Sequence, residues 1–467
     1  MCWFIFVLFV AAISSAAPSR AANEVAGELI VFNDNGAWSW FESERVIFDS
    51  ERQKILLSSV ANAQGREGQG RAGDIDVVSY DLATGAKQRF TLSNNLEEDD
   101  HDSAALLKLP DGRYLASYSK HAGDKFVRYR ITRRPGDITA WQQEQIYSAA
   151  GPTTYSNLLY LSKPNTVFNF HRDSGRGFDP NYLRWDLSRA PGFRYGGHLL
   201  TGPEGNSGNS DRPYMRYATN GIDRIHFIAT DHHPRNLFSN SVYHGYIQAE
   251  RTGYGVYRSD GTRLGDLSTL ATSPYKASDF TTLLAGDTIS PASGLRMTRG
   301  WTIDIELDRS GNPSAVFTAR VEDNDLDHRF FYGRYSQGGW QIHELAKAGG
   351  YLYESEADYT GLAALEPANP NRVFISTNID PRTDRKLSYY EIFVGTTADD
   401  GATWLWSPVT YDSSLDNLRP VVPRGNAGSA IVVWMRGRYR SYTNYNSSIV
   451  GLTQLVPMNE ITLTKSH

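Results

Sequence analysis

Apolar and polar positions alternate along most of this chain in short runs of four to eight residues, and amphipathic helical spacing is almost absent. The runs are rich in Val, Ile, Tyr, Phe and Trp, which predicts strands throughout. Each run follows a cluster of Gly, Pro, Asn or Asp, and the clusters recur. "DSERQKILLSSV" at 49–60 is the first, followed by "LPDGRYLASYS" at 109–119, "SKPNTVFNFHR" at 162–172 and "TNGIDRIHFIATD" at 219–231. "DRSGNPSAVFTAR" at 308–320, "EPANPNRVFISTN" at 366–378 and "RGNAGSAIVVWMR" at 424–436 complete the series. The turns fall near 51, 111, 164, 221, 311, 369 and 427, mostly 53–60 residues apart, with one gap of 90 that holds an insertion around 257–300.

Seven units of this length predict an all-β fold, a seven-bladed β-propeller of four-stranded antiparallel blades, as one domain over 23–467. A pair of β-sandwiches is the competing architecture, disfavoured because no linker separates two halves. "TADDGATW" at 397–404 fits the Asp-box pattern of sialidase-like propellers. Its Asp399 is expected to cap the turn and Trp404 to plug the blade.

Residues 1–17, "MCWFIFVLFVAAISSAA", form an apolar run followed by small residues. The pattern predicts a secretory signal occupying 1–22, cleaved within 16–22, and a secreted or periplasmic protein. The run is too short for a comfortable membrane span. Cys2, the single cysteine, would leave with it, so no disulfide or Cys-ligated metal is expected. The net charge of -5 and scattered Arg residues give no basis for nucleic-acid binding. Tyr and Trp at 27 and 10 copies also suit a cleft in which flat rings stack on sugars. Nothing points to membrane insertion, and a monomer is expected.

The chemistry concentrates in three hairpins. "EEDDHDSAALLKLPDGRYLASYSKH" at 97–121 carries His101 and His121 at its two open ends. A two-residue turn at Asp111–Gly112 would pair positions summing to 223 and place the imidazoles on opposite faces. A bulge or a longer turn would align them, and the residues alone leave both registers open. Nearby carboxylates would raise the imidazole pKa values. In "PTTYSNLLYLSKPNTVFNFHR", 152–172, Tyr155 opens one strand and Arg172 ends its partner, repeating that geometry. "DRPYMRYATNGIDRIHFIATDHHPRN" and "SVYHGY" bring Arg212, Tyr214 and Tyr243 to the same rim. Asp231, His232, His233 and His244 form the candidate metal group. Asp231, His233 and His244 are its expected ligands, although the spacing matches no closed zinc motif. No nucleophile elbow, phosphate loop or HExxH helix occurs.

Taken in series over residues 45–435, these segments resemble the BNR-repeat propellers that include secreted ulvan lyases. The resemblance implies β-elimination on a sulfated rhamnose–uronate polysaccharide, an anionic partner, with no cofactor needed for the chemistry. It further implies His101, Tyr155 and Arg172 as catalytic, and His121, Tyr214, Arg212 and Tyr243 as substrate-binding, with Tyr160 a competitor for the Tyr155 role. Family members hold a zinc partly through cysteine, so here any structural metal, Zn²⁺ or Ca²⁺, would need other donors. In this reading Arg172 grips the uronate carboxylate and depresses the phenol of Tyr155, which serves as base and acid, while His101 acts from the other face of the ring. Two rival readings are a glycoside hydrolase on the same propeller and a non-catalytic sugar-binding propeller. A sialidase is disfavoured because no Arg-Ile-Pro motif is present. A hydrolase would need paired carboxylates, for which "EEDD" at 97–100 and "VEDNDLDH" at 321–328 are the sources, each expected to be a solvated loop.

Overall fold

The computed structural model describes residues 24–43, 45–189, 191–202, 212–290, 293–425 and 431–455; the expected signal segment lies outside them. Seven antiparallel sheets, each with four strands at its centre, form a seven-bladed β-propeller. Each turn-plus-strand unit in the sequence is the first hairpin of one blade. Blade 1 uses 46–49, 54–60, 75–81 and 87–93; blade 2 uses 105–108, 114–118, 126–134 and 145–148; blade 3 uses 153–161, 166–173, 180–186 and 194–198. The stretch at 257–300 widens blade 4, whose sheet adds 263–266 and 281–284 to its four strands, and supplies 288–289 to blade 5. Among the described residues no helix is long and apolar enough to cross a membrane.

Ring closure joins the two ends of the chain. Strand 30–33 pairs with 444–452 as the fourth strand of blade 7, whose other members come from the C-terminal end. This pairing joins the first described strand to the last, so its loop-closure entropy is offset only when the ring is complete. The Asp-box turn behaves as expected: Asp399 accepts from Thr403 N at 2.8 Å, and Trp404 packs edge-on against Tyr332 of the preceding blade, centroids 5.1 Å apart.

Between strand 30–33 and blade 1 the chain crosses the propeller axis. Ala37 pairs with Val60 of blade 1, and Glu42 accepts from Ser103 beside blade 2 at 3.2 Å. Ser43 N donates to Asn157 of blade 3, and Arg216 of blade 4 donates to the Glu42 carbonyl, both at 2.8 Å. Phe41 stacks on Trp301 of blade 5 at 3.9 Å, and Trp40 donates to the Thr360 carbonyl next to blade 6. Trp38 N faces Met435 of blade 7. A segment touching all seven blades can only lie on their common axis. Trp38 and Trp40 are fully buried there, so this plug fills the channel that seven blades would otherwise leave open.

Candidate functional site

The hairpin of blade 2 pairs Ala105 with Ser117 and Lys108 with Tyr114, so partners sum to 222, not 223. Leu109 and Arg113 close a three-residue loop in which Gly112 takes φ +79°, the left-handed geometry that glycine supplies without strain. The extra loop residue shifts the register by one, and 101 comes to face 121. The two imidazoles stack, centroids 3.8 Å apart and planes 15° from parallel.

Asp99 joins them. The Nδ1 of His101 lies 2.6 Å from Asp99 Oδ1, and the Nδ1 of His121 lies 2.9 Å from Asp99 Oδ2. A carboxylate only accepts, so both Nδ1 atoms carry the proton and both Nε2 atoms are left for other work. The backbone supports this arrangement: His101 N donates to Asp99, and His121 N donates to Glu97. The "EEDD" run is therefore not a solvated loop. Asp99 and Asp100 are buried, and the latter accepts from Tyr439 at 2.6 Å. The neighbouring Asp102 is buried as well, and burial, reinforced by the Asp99 charge, pushes its carboxyl well up.

The charges follow from the geometry. Burial alone would raise the Asp99 carboxyl, but the charge and hydrogen bond of His101, with a second bond from His121, hold it well below the usual carboxylate range. Burial opposes a charged His101, yet Asp99 outweighs it and keeps that imidazole protonated well above its ordinary value. His121 moves the other way, lowered by burial and by the charge on His101. One imidazolium and one neutral imidazole thus share one carboxylate.

Blade 3 presents Tyr155 and Arg172. Pairing jumps from Thr154↔Arg172 to Asn157↔Phe170, a bulge in which Tyr155 takes φ +65°. A large aromatic residue rarely adopts this backbone, and the bulge is what turns its ring to the rim. The His101 ring is 5.6 Å away. Tyr160 sits at the other end of the same strand, bonded to Asn165, and plays no part here. Arg172 lies over the Tyr214 ring at 3.9 Å and over Tyr155 at 5.2 Å, while its Nη2 donates to the Pro213 carbonyl.

This placement corrects one expectation. Burial and the neighbouring Tyr214 raise the Tyr155 phenol, and Arg172 does not reverse that. The depressed phenol is Tyr214: burial would raise it, but Arg212 and Arg172 together bring it down to about 7. Arg172 acts on the ring it covers most closely.

The expected metal group does not assemble. Tyr243 donates to Asp231 at 3.1 Å, and successive strand residues face opposite sides, so His244 points away from Asp231. His244 instead contacts His226 at 3.1 Å and Ser259 at 2.7 Å. His233 turns toward the axis, edge-on to Tyr214 at 5.2 Å and 4.7 Å from the Trp301 ring. Among the described residues, the group whose donor atoms lie within 4.8 Å of one another is Asp99, His101 and His121, a set compatible with a single structural cation only in exchange for the Nδ1 protons that now face Asp99. Tyr243 is bonded to Asp231, and no ring contact among the described residues joins it to the cluster of His101, Tyr155, Arg172 and Tyr214. Arg212 does join it, acting on Tyr214.

Several members carried no sequence signal. Tyr442, from a turn of blade 7, stands edge-on to both imidazoles at 5.4 and 5.5 Å. Trp301 and Phe41 back Tyr214, as does His233, which the sequence had offered only as a metal ligand. Glu42, ion-paired with Arg45 beneath this floor, is raised by burial to about 7.

Fold and site define a seven-bladed propeller with a histidine–tyrosine–arginine rim. Residues 70–348 match the BNR repeat-containing family, and the chain belongs to that family. Among solved structures it is similar to an ulvan lyase bound to GlcA(1-4)Rha3S, with TM-score 0.64, 13% identity, and 91% of this chain and 96% of that chain covered. It is also similar to the polysaccharide lyase Uly1, with TM-score 0.55, 10% identity, and 92% and 100% covered. No curated protein matches the sequence.

Proposed function

We propose that this protein is a secreted polysaccharide lyase that cleaves ulvan by β-elimination at its uronate residues. The observation that carries the reading is the pair of imidazoles, one charged and one neutral, sharing Asp99 beside Tyr155 and Arg172. The fold shared with two lyases supports it. Removing H5 from a uronate puts negative charge next to a carboxylate, so groups that meet the enolate-like state more strongly than the ground state lower the barrier. Arg172 and the His101 imidazolium, the rim cations flanking Tyr155, take that role.

His121 is neutral, and its side chain is 29% exposed against 4% for His101. Its Nε2 has no hydrogen bond among the described residues and serves as the base that removes H5. The electrons left on C5 form the C4–C5 double bond, the C4–O4 bond breaks, and O4 takes a proton. Tyr155, whose raised phenol holds its proton, supplies it. When the uronate carboxylate arrives, Tyr214 gives up its share of Arg172, takes a proton from water and binds the carboxylate as a neutral hydroxyl. A leader at residues 1–22 would export the enzyme to its polymer.

Incubation with ulvan tests the reading. A lyase produces new ultraviolet absorbance from the C4–C5 double bond, together with new chain ends. Chain ends without that absorbance would show a hydrolase, and binding without either would show a lectin.

A further inference from the structure

In blade 3 the strands leave the catalytic rim at Tyr155, return at Arg172, and leave again along 180–186. The turns after 161, 186 and 249 therefore lie on the opposite face of the propeller. There, blades 3 and 4 enclose a groove of about 660 Å³. Its walls carry five cations, Lys163, Arg184, Arg189, Arg194 and Arg251, against two carboxylates, Asp186 and Glu250, that are paired with Arg189 and Arg263, and the rings of Tyr195 and Tyr254 lie among them. Lys163 is paired with Asp223. Arg184, Arg194 and Arg251 have no carboxylate within ion-pair distance among the described residues, in a chain whose net charge is -5.

The strand register sharpens this. Arg184 lies directly opposite Arg194 on the adjacent strand. Like charges in that relation repel, and the sheet carries the cost unless an anion lies between them. Arg184 also reaches over the Tyr254 ring of blade 4, 5.7 Å from its centroid, so the cationic surface is continuous from one blade to the next. Guanidinium forks match sulfate and carboxylate groups in pairs, and flat phenol rings between them suit sugar faces.

We propose that this groove is a second binding site for an anionic polysaccharide, separate from the catalytic rim and on the opposite face. It takes its ligand class from the function proposed above but not its chemistry. A polymer held there stays tethered while other segments reach the rim, which raises their effective concentration.

The test is affinity electrophoresis through gels containing ulvan, dextran sulfate or neutral dextran, run in a His101→Asn background so that the polymer is not degraded. Ulvan should retard the parent protein several-fold more than neutral dextran, with retardation weakening as salt rises. Arg194→Gln/Arg251→Gln should lose most of that retardation while melting no lower than the parent. With His101 restored, the same pair should raise KM for polymer and leave turnover of short oligosaccharides unchanged. Equal retardation of parent and groove variant overturns the proposal, as does no retardation of either. Retardation by dextran sulfate equal to that by ulvan, insensitive to the two substitutions, marks general polyanion attraction and also overturns it. Groove-dependent retardation in a protein that forms no unsaturated ends would sink the lyase reading and leave this one standing.

Discussion

His101 and His121 stand face to face with ring centroids 3.8 Å apart, each donating its Nδ1 proton to a different oxygen of Asp99. Two protonated imidazoles that close would repel, and two neutral ones would leave Asp99 as an uncompensated buried charge. The one-plus-one arrangement avoids both costs, and in the proposed reaction it supplies a cation and a base.

Replacing either imidazole should therefore abolish most turnover. His101→Asn and His121→Asn are each expected to lower kcat by about 10²–10⁴-fold, read as the rate of ultraviolet absorbance gained on ulvan. Undiminished rates in either variant would remove the assignment.

Asp99→Asn should separate positioning from chemistry. With the carboxylate gone, burial dominates and His101 loses its proton at lower pH. The variant should lose about 10–100-fold in activity, and the alkaline limb of its pH profile should move toward acid. A profile of unchanged shape would show that Asp99 does not hold the charge on His101.

Tyr214 should titrate visibly. Its phenol is drawn down to about 7 by Arg212 and Arg172 against the opposing effect of burial, so a tyrosinate absorbance step is expected near that pH and should vanish in Tyr214→Phe. Between about 7 and the ordinary tyrosine value near 10 the unfolded chain holds the extra proton. Stability contributed by this group is thus present above 10 and is lost as pH falls through 7. In the free enzyme the phenolate competes with substrate for Arg172, so kcat/KM should fall above about pH 7, and Tyr214→Phe should flatten that limb.

The axial plug should serve both stability and activity. Phe41 is buried, stacked on Trp301 at 3.9 Å and edge-on to Tyr214 at 5.2 Å. Phe41→Ala should cost about 3–5 kcal/mol of stability by denaturant titration, and at temperatures where the variant is folded it should still lower kcat. Full kcat in a folded Phe41→Ala protein would show that the plug does not position Tyr214.

The all-β class and the seven units were legible because their cause is local. Alternation of apolar residues and the turn residues at Asp111–Gly112, Pro164–Asn165 and Gly311 act over a few positions, and each unit became a blade's first hairpin. His101, His121, Tyr155 and Arg172 were legible as rim residues for the same reason, since hairpin ends travel together. Their electrostatics were not. Whether Arg172 depresses Tyr155 or Tyr214 depends on distances of 5.2 Å within blade 3 and 3.9 Å across to blade 4. The Asp231, His233 and His244 group looked plausible by proximity in sequence, but strand alternation sends Asp231 and His244 to opposite faces of one sheet.

Sequence by itself determined the repeated hairpins, their rim chemistry and the turn residues, all products of short-range stereochemistry and hydrophobic alternation. Only the tertiary structure decided the one-residue register that stacks the two histidines, the bridging of their Nδ1 atoms by Asp99, and the passage of residues 37–43 along the axis beneath Tyr214. The register follows from the three-residue loop between Leu109 and Arg113, whereas the axial passage depends on a ring that closes between residues 30–33 and 444–452, and no local pattern encodes which side chains such a closure brings into contact.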